Sequence, residues 1–297
     1  MSVVPRSGEQ KVTAPAILAR KFPAQDGSFR STAKITCLTA YDHPSARLVD
    51  EAGVDVILVG DSLGMAVLGY DSTLPVTIED VLHHLRAVRR GTKRALLVAD
   101  MPYGSYHVSI EESLRNAVRL VKEGGAEAVK VEGGERRIEL IARLVEAEIP
   151  VMGHVGLTPQ SFNSMGGFHV QGKSADASRQ VERDARAAEA AGAFAVVLES
   201  IPRELAARVT ERLRIPTIGI GAGPDCDGQI LVFHDLLGLT SGHVPKFARR
   251  YADLAGVISQ AVTCYCEDVR VGGFPSDAES YHSSSSIRGE ATKQTAG

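Results

Sequence analysis

The chain has 297 residues, of which 44% are hydrophobic, and its formal net charge at pH 7 is -3. It can therefore bury a sizeable core, and it lacks the basic surplus of a nucleic-acid-binding protein. No apolar stretch reaches the roughly 18 residues of a membrane span, and no signal-peptide pattern opens the chain. We therefore expect a cytoplasmic protein, with an organellar transit peptide as the alternative. The four cysteines form no C-x-x-C pair, which favours reduced thiols over a zinc site.

Residues 1–12 are polar, and we expect them to be flexible. The segment Thr13–Arg20 predicts a short helix with Thr13 as its N-cap. From Lys34 onward, apolar runs alternate with amphipathic segments. The predicted strands are 35–41, 54–60, 95–99, 128–131, 151–153, 195–198, 217–220 and 229–233. The predicted helices are 44–52, 77–90, 109–123, 135–147, 177–191, 203–212 and 246–271.

The predicted strands are almost continuously apolar, as is typical of parallel strands covered by helices on both faces. Eight strand-then-helix units over about 240 residues predict an α/β fold of the (β/α)8 TIM-barrel type. A doubly wound sheet is the alternative, but no G-x-G-x-x-G with a later acidic partner follows an early strand. We expect one barrel domain over 13–275 and a disordered tail over 276–297, which are polar and serine-rich.

Five predicted strands lead into an ionisable side chain, namely Asp61, Asp100, Glu132, His154 and Glu199. In a (β/α)8 barrel, the carboxyl ends of the strands meet at one mouth. Four carboxylates so close together would repel one another, and a bound dication would remove that repulsion. Oxygen ligands favour Mg²⁺, and no dense His/Cys set argues for zinc. The alternative is that each carboxylate only caps the helix after its strand.

Two more side chains and two loops are ambiguous. Lys130 lies two residues before Glu132, so both point to the same side of their strand. Lys130 could bind an anionic substrate, form a Schiff base or make a structural ion pair. His154 could bind metal, act as a base or form a supporting hydrogen bond. The long loop 156–174 predicts a lid or substrate-binding segment, and the glycines of 219–223 predict a phosphate site or close packing.

The carboxylate set suits proton removal beside a carbonyl group. A metal that chelates a 2-oxo acid would acidify the adjacent C–H, and a carboxylate held apart from the metal could remove that proton. The metal would stabilise the resulting enolate, which would then attack an electrophilic carbon. Spacing alone does not name the electrophile.

Several longer motifs resemble the ketopantoate hydroxymethyltransferase family. They run in order over about residues 13–275 and are Leu38–Asp42, Val59–Met65, Gly69–Val76, Ala99–Tyr103, Val129–Glu135, Gly153–Gln160, Gly166–Gly172, Ile218–Gly223 and Asp227–Val232. The resemblance implies a barrel of the phosphoenolpyruvate/pyruvate-binding type. It also implies transfer of a hydroxymethyl group from 5,10-methylenetetrahydrofolate to 2-oxoisovalerate, which forms ketopantoate in pantothenate biosynthesis.

The resemblance also implies roles for single residues. It implies that Asp61 and Asp100 bind Mg²⁺ directly, and that Glu132 holds the ion through water. It implies that Glu199 accepts the C3 proton. The implied contacts to the 2-oxo acid come from Asp61, Ser62, Asp100 and Lys130.

Lys130 would then bind the substrate anion, so the resemblance argues against the Schiff-base interpretation. The partners implied are the 2-oxo acid, the folate and further copies of the chain in a homodecamer of two stacked rings. We expect no nucleic acid or membrane partner. Two other functions stay open: a different Mg²⁺-dependent C–C lyase or phosphonomutase on the same barrel, and a metal- and ligand-binding scaffold without catalysis.

Overall fold

The structure is a computed structural model that describes residues 10–22, 33–240, 242 and 244–283. Most of the predicted flexible N-terminus and most of the predicted disordered tail lie outside these residues. The chain divides into two compact units. The first unit extends to Leu236 and also includes Thr240–Arg249. The second unit consists of Leu237–Leu239 and the chain from Arg250 onward. The single domain over 13–275 stays a prediction.

Parallel strands close the first unit into a barrel. Within the described residues they are β1 Ile35–Thr39, β2 Val56–Val59, β3 Leu96–Asp100, β4 Ala128–Glu132, β5 Val151–Gly156, β6 Ala195–Glu199, β7 Thr217–Ile220 and β8 Gly228–Leu231. Each strand pairs with the next in sequence order, and β8 pairs with β1. The predicted (β/α)8 barrel is confirmed.

Helices connect and cover the strands. They are α1 Ala14–Leu18, α2 His43–Glu51, α3 Leu63–Ala66, α4 Ile78–Gly91, α5 Ile110–Lys122, α6 Ile138–Glu146, α7 Phe162–Met165, α8 Ala175–Ala190, α9 Arg203–Arg212, α10 Phe233–Leu237 and α11 Leu254–Val271. Short 3-10 turns occupy Ala19–Lys21, Glu135–Arg137, Pro159–Ser161 and Asp277–Glu279.

Two predicted boundaries in the last strand and the last helix are wrong. The last strand ends at Leu231 instead of residue 233, because the Phe233 N–H donates to Thr39 Oγ1 at 2.9 Å and Phe233 opens α10. The last helix begins at Leu254 instead of residue 246. The side chains of Lys246 and Phe247 line the barrel mouth, which keeps that segment irregular.

The barrel has two apolar layers. Inward side chains such as Ile35, Leu58 and Met152 fill its interior, and a larger cluster lies between the strands and the surrounding helices. Ile17 of α1 belongs to the interior cluster and is fully buried. The Arg20 guanidinium donates to both carboxylate oxygens of Asp55, which precedes β2, at 2.8 Å each. The N-terminal segment therefore covers the end of the barrel where the strands begin.

The second unit is dominated by the 18-residue helix α11, of which no residue is buried. Ile258, Val262, Tyr265 and Val269 follow one another at spacings of four, three and four residues and are 50%, 55%, 57% and 46% exposed. That spacing places them along one face of the helix. Within the described part of the chain, no helix combines the length and the apolar character that crossing a membrane requires.

Candidate active site

The carboxyl ends of the strands surround a cavity of about 830 Å³. The structure brings all the predicted site residues to its lining, namely Asp61, Ser62, Asp100, Lys130, Glu132 and Glu199, together with His154. Asp61 lies two residues after the end of β2, and Asp100, Glu132 and Glu199 are the last residues of β3, β4 and β6. The parallel register explains this convergence, since it pairs Asp100 with Lys130 and Glu132 with His154.

His154 was predicted to follow its strand, and this prediction is wrong. Strand β5 continues to Gly156, so His154 lies inside it. The extension is stabilised by the Gly133 N–H, which donates to the His154 carbonyl at 2.8 Å. Because of alternation along the strand, Met152 and His154 both face the barrel interior. The imidazole therefore projects into the site from the barrel interior.

Lys130 is a buried cation among carboxylates. Its Nζ lies 2.8 Å from Asp100 Oδ1 and 3.8 Å from Glu132 Oε1. Burial alone would lower the pKa of Lys130, but the charges of Asp100 and Glu132 outweigh it and raise the pKa above the ordinary value. Lys130 therefore stays an ammonium group, which suits binding of an anion and opposes Schiff-base formation.

Asp61 and Asp100 are the most crowded carboxylates. The Asp61 N–H donates to Asp100 Oδ2 at 3.0 Å. Burial, followed by the charges of Asp100 and Glu132, raises the pKa of Asp61 well above its usual value. Burial also raises the pKa of Asp100, although Lys130 opposes that shift. Both anions are thus poorly stabilised by the protein alone.

His154 joins the two sides of the mouth. Its Nδ1 lies 3.3 Å from Glu132 Oε1 and 3.1 Å from Lys130 Nζ, and its Nε2 lies 3.1 Å from Glu199 Oε2 without ideal hydrogen-bond geometry. Burial and Lys130 act to lower the pKa of His154, but its contacts with Glu132 and Glu199 outweigh them and raise it to about 9. The two carboxylates therefore favour the charged form of His154.

Glu199 is the most accessible of the four carboxylates, with 15% of its side chain exposed. Ser200 follows it with a φ of +47°, a left-handed conformation that costs a non-glycine residue ~1–3 kcal/mol. Two backbone hydrogen bonds hold that conformation: the Ser200 N–H donates to the Ile220 carbonyl, and the Gln171 N–H donates to the Ser200 carbonyl, each at 2.9 Å. Strain of this kind is typical of functional sites.

The donor set fits a hard dication. Asp100 Oδ1 and Glu132 Oε1 are buried and have no partner that meets hydrogen-bond geometry. Among the described residues, no three His, Cys, Asp or Glu side chains converge closely enough to hold an ion by themselves. Mg²⁺ needs only one or two protein carboxylates, because waters and substrate oxygens complete its octahedron.

Sequence reasoning missed two residues of this site. The Tyr41 hydroxyl lies 2.8 Å from Ser62 Oγ, and the Gln160 side chain donates to Asp61 Oδ2 at 2.8 Å. Both residues lie within the motifs Leu38–Asp42 and Gly153–Gln160. The motifs therefore contain both residues. Neither was predicted, because the prediction rested on charged side chains at the ends of predicted strands, and an amide or a tyrosine does not meet that criterion.

The two loops singled out in the sequence behave differently. The segment after β5 carries a 3-10 turn and α7, and its Phe168 lines the cavity while remaining 45% exposed. The glycines after β7 serve close packing. A Cβ on Gly221 would lie 2.6 Å from the Phe247 ring, and a Cβ on Gly223 would lie 2.7 Å from the Arg203 side chain.

The fold and site define a class of barrel. The chain superposes on 2,3-dimethylmalate lyase of the PEP mutase/isocitrate lyase superfamily with a TM-score of 0.55 and 20% identity, covering 91% of this chain and 89% of that one. It superposes on phosphoenolpyruvate phosphomutase from Streptomyces platensis subsp. rosaceus with a TM-score of 0.55 and 15% identity, covering 88% of each chain. These likenesses support the (β/α)8 barrel fold.

Sequence similarity narrows the class to one family. A profile of ketopantoate hydroxymethyltransferase matches residues 25–277. The 3-methyl-2-oxobutanoate hydroxymethyltransferase of Koribacter versatilis (strain Ellin345) is 57% identical over 282 residues, which cover 95% of this chain and 93% of that protein. The enzyme of the same name from Pelobacter propionicus is 54% identical over 273 residues, covering 92% and 98%. The chain belongs to the ketopantoate hydroxymethyltransferase family.

Proposed function

We propose that this protein transfers a hydroxymethyl group from 5,10-methylenetetrahydrofolate to 2-oxoisovalerate and thereby forms ketopantoate for pantothenate biosynthesis. Membership of the family supports this reaction. The observation that carries it is the buried group of Asp61, Asp100 and Glu132 beside the cations Lys130 and His154, with Glu199 across the same cavity. Such a site binds a small anion and offers a separate carboxylate base.

Each side chain has a proposed task. Asp61 and Asp100 would hold Mg²⁺ directly and Glu132 would hold it through water, which is consistent with the buried oxygens of Asp100 and Glu132 that lack well-formed hydrogen bonds. Mg²⁺ beside the 2-oxo acid would polarise its ketone and acidify the adjacent C–H. Lys130 and Ser62 would bind the substrate oxygens.

Glu199 would accept the C3 proton. It suits this role because it is partly exposed to the cavity and separated from Asp61 and Asp100 by Lys130 and His154. The His154 ring, whose Nε2 lies 3.1 Å from Glu199 Oε2, would hold the carboxylate in place.

The cavity leaves room for the one-carbon donor. Its volume of about 830 Å³ is far larger than a branched 2-oxo acid requires. Met65, Tyr70 and Phe168 line the same cavity and are 43%, 40% and 45% exposed. Apolar and aromatic groups at this rim would bind the flat pterin ring of the folate.

We also propose that the protein is a homo-oligomer, in the homodecamer implied by its family resemblance. The exposed apolar face of α11 supports self-association, because an uninterrupted stripe of this kind is unfavourable in water. The cytoplasmic location stays a prediction.

One experiment distinguishes the candidate functions. The protein is incubated with 2-oxoisovalerate, Mg²⁺ and 5,10-methylenetetrahydrofolate, and ketopantoate is quantified while each component is left out in turn. The proposed transferase needs all three. A C–C lyase or phosphonomutase would turn over its own substrate without folate. A scaffold without catalysis would be stabilised by ligands and yield no product.

A further inference from the structure

Gln160 is a buried amide that contacts two of the proposed metal-holding carboxylates. Its backbone N–H donates to Glu132 Oε2 at 3.0 Å. Its side-chain Nε2 donates to Asp61 Oδ2 at 2.8 Å and to the Met101 carbonyl at 3.0 Å. Only 5% of the residue is exposed, so these contacts are not exchanged for water. The 3-10 turn Pro159–Ser161 after β5 brings the residue to this position.

Tyr106 fixes which way the amide faces. Its hydroxyl lies 2.6 Å from Gln160 Oε1. The Asp61 carboxylate and the Met101 carbonyl can only accept hydrogen bonds, so the NH₂ end of Gln160 must face them. The oxygen end then faces Tyr106, which must donate. Burial raises the pKa of Tyr106 well above its usual value, so the hydroxyl keeps the proton that it donates.

Tyr106 is itself held by its surroundings. It is 4% exposed, its ring lies 5.0 Å from the Arg137 guanidinium carbon, and it packs against His107 at a centroid distance of 4.3 Å. A single orientation of the hydroxyl, and hence of the Gln160 amide, is thereby imposed from outside the cavity.

The consequence lies in which carboxylate oxygens remain available. Gln160 occupies Oδ2 of Asp61 and Oε2 of Glu132. Glu132 Oε1 is left buried without a well-formed hydrogen bond, and its neighbours are the cationic groups of His154 at 3.3 Å and Lys130 at 3.8 Å. One residue thus orients two carboxylates that come from different strands and repel each other, while adding no charge to the site.

We propose that Gln160, held by Tyr106, is a positioning residue that presents one oxygen each of Asp61 and Glu132 to the divalent cation. The proposal rests on the metal site of the proposed function. Groups that orient metal ligands through hydrogen bonds typically change metal affinity about 10–100-fold. Tyr106 acts only through Gln160, so its effect exists only while Gln160 is present.

Mn²⁺ binding to the purified full-length protein, measured by electron paramagnetic resonance without substrates, tests the proposal. The variants are Gln160→Met, Tyr106→Phe and their combination. The matched control is Gln180→Met, which removes an amide that donates to Glu135 on the surface. We expect about 10-fold weaker Mn²⁺ binding for Gln160→Met, about 3-fold for Tyr106→Phe, no further loss for the double variant, and no change for the control.

Thermal unfolding of the metal-free variants separates positioning from a purely structural role. Lower unfolding temperatures with unchanged Mn²⁺ affinity would overturn the proposal, as would independent, additive losses from the two substitutions. Tyr106→Phe removes one oxygen atom and keeps the test available if Gln160→Met does not fold. If the unaltered protein binds no Mn²⁺, the metal site and the positioning role fail together. Tight binding that Gln160→Met leaves unchanged overturns the positioning role alone.

Discussion

The Nε2 atom of His154 lies 3.1 Å from Oε2 of Glu199, and the same ring reaches Glu132 through Nδ1 at 3.3 Å. One imidazolium thus contacts a carboxylate on each side of the mouth. The side that would hold the metal and the side that would remove a proton are separated by a cation, which limits the repulsion between their anions.

Glu199→Gln removes the proposed base and keeps the shape of the side chain. We expect exchange of the C3 proton of 2-oxoisovalerate in D₂O to fall at least about 10²-fold, because an amide cannot accept that proton. Binding of Mn²⁺ and of the 2-oxo acid should change little. Proton NMR follows the exchange, and Glu204→Gln on the exposed start of α9 is the control. Undiminished exchange in Glu199→Gln would rule out this role.

Lys130 should bind the substrate without bonding to it covalently. We expect Lys130→Met to weaken 2-oxoisovalerate binding roughly 10–100-fold, the loss that corresponds to a hydrogen bond with a charged group. Calorimetric titration measures the affinity, with the exposed Lys122→Met as control. Treatment of the unaltered protein with 2-oxoisovalerate and borohydride should leave its mass unchanged. A reduced adduct on Lys130 would instead support a Schiff base.

Asp61→Asn should separate stability from metal binding. Burial and neighbouring anions disfavour the Asp61 carboxylate in the fold. The metal-free variant should therefore unfold at a higher temperature than the unaltered protein at pH 8, since the amide carries no charge. Saturating Mg²⁺ should reverse that order, because the variant lacks a ligand. Calorimetric melts with EDTA or Mg²⁺ test both halves, and Asp176→Asn on the surface of α8 provides the comparison. Identical responses of both variants to Mg²⁺ would contradict the assignment.

Asp55 should stabilise the end of the barrel opposite the mouth. Burial acts to raise the pKa of Asp55, but hydrogen bonds from Arg20 and Thr36 outweigh it and lower the pKa below 3.8. The carboxylate thus contributes stability above pH 3.8 that is lost as the pH falls through and below that value. We expect Asp55→Asn to lower the free energy of unfolding by about 1–3 kcal/mol at pH 7, and by less near pH 3. Urea melts at both pH values would show whether the difference shrinks.

The apolar face of α11 should mediate self-association. Val262→Glu places a charge in the middle of this face, and we expect smaller particles by size-exclusion chromatography with light scattering. Ser259→Glu adds the same charge to the same helix outside the stripe and should leave the mass unchanged. A chain that remains fully assembled with Val262→Glu would locate the contacts between copies elsewhere.

The sequence by itself determined the barrel and most of the ionisable site. Uninterrupted apolar runs define buried parallel strands, and strand ends in a barrel share one mouth whatever the side chains are. Asp100, Glu132 and Glu199 could therefore be assembled from their places in the chain. The family motifs then supplied the reaction.

Only the tertiary structure decided how neutral side chains orient the carboxylates of that site. Gln160 lies 99 positions from Asp61, and Tyr106 lies 54 positions from Gln160, so no local pattern links them. The continuation of β5 past Gly153 likewise depends on pairing with β4 at His154 and with β6 at Val155 and Gly156, which are contacts between distant segments. Hydrogen-bond direction, burial and the choice of carboxylate oxygen arise only once strands from different parts of the chain lie side by side.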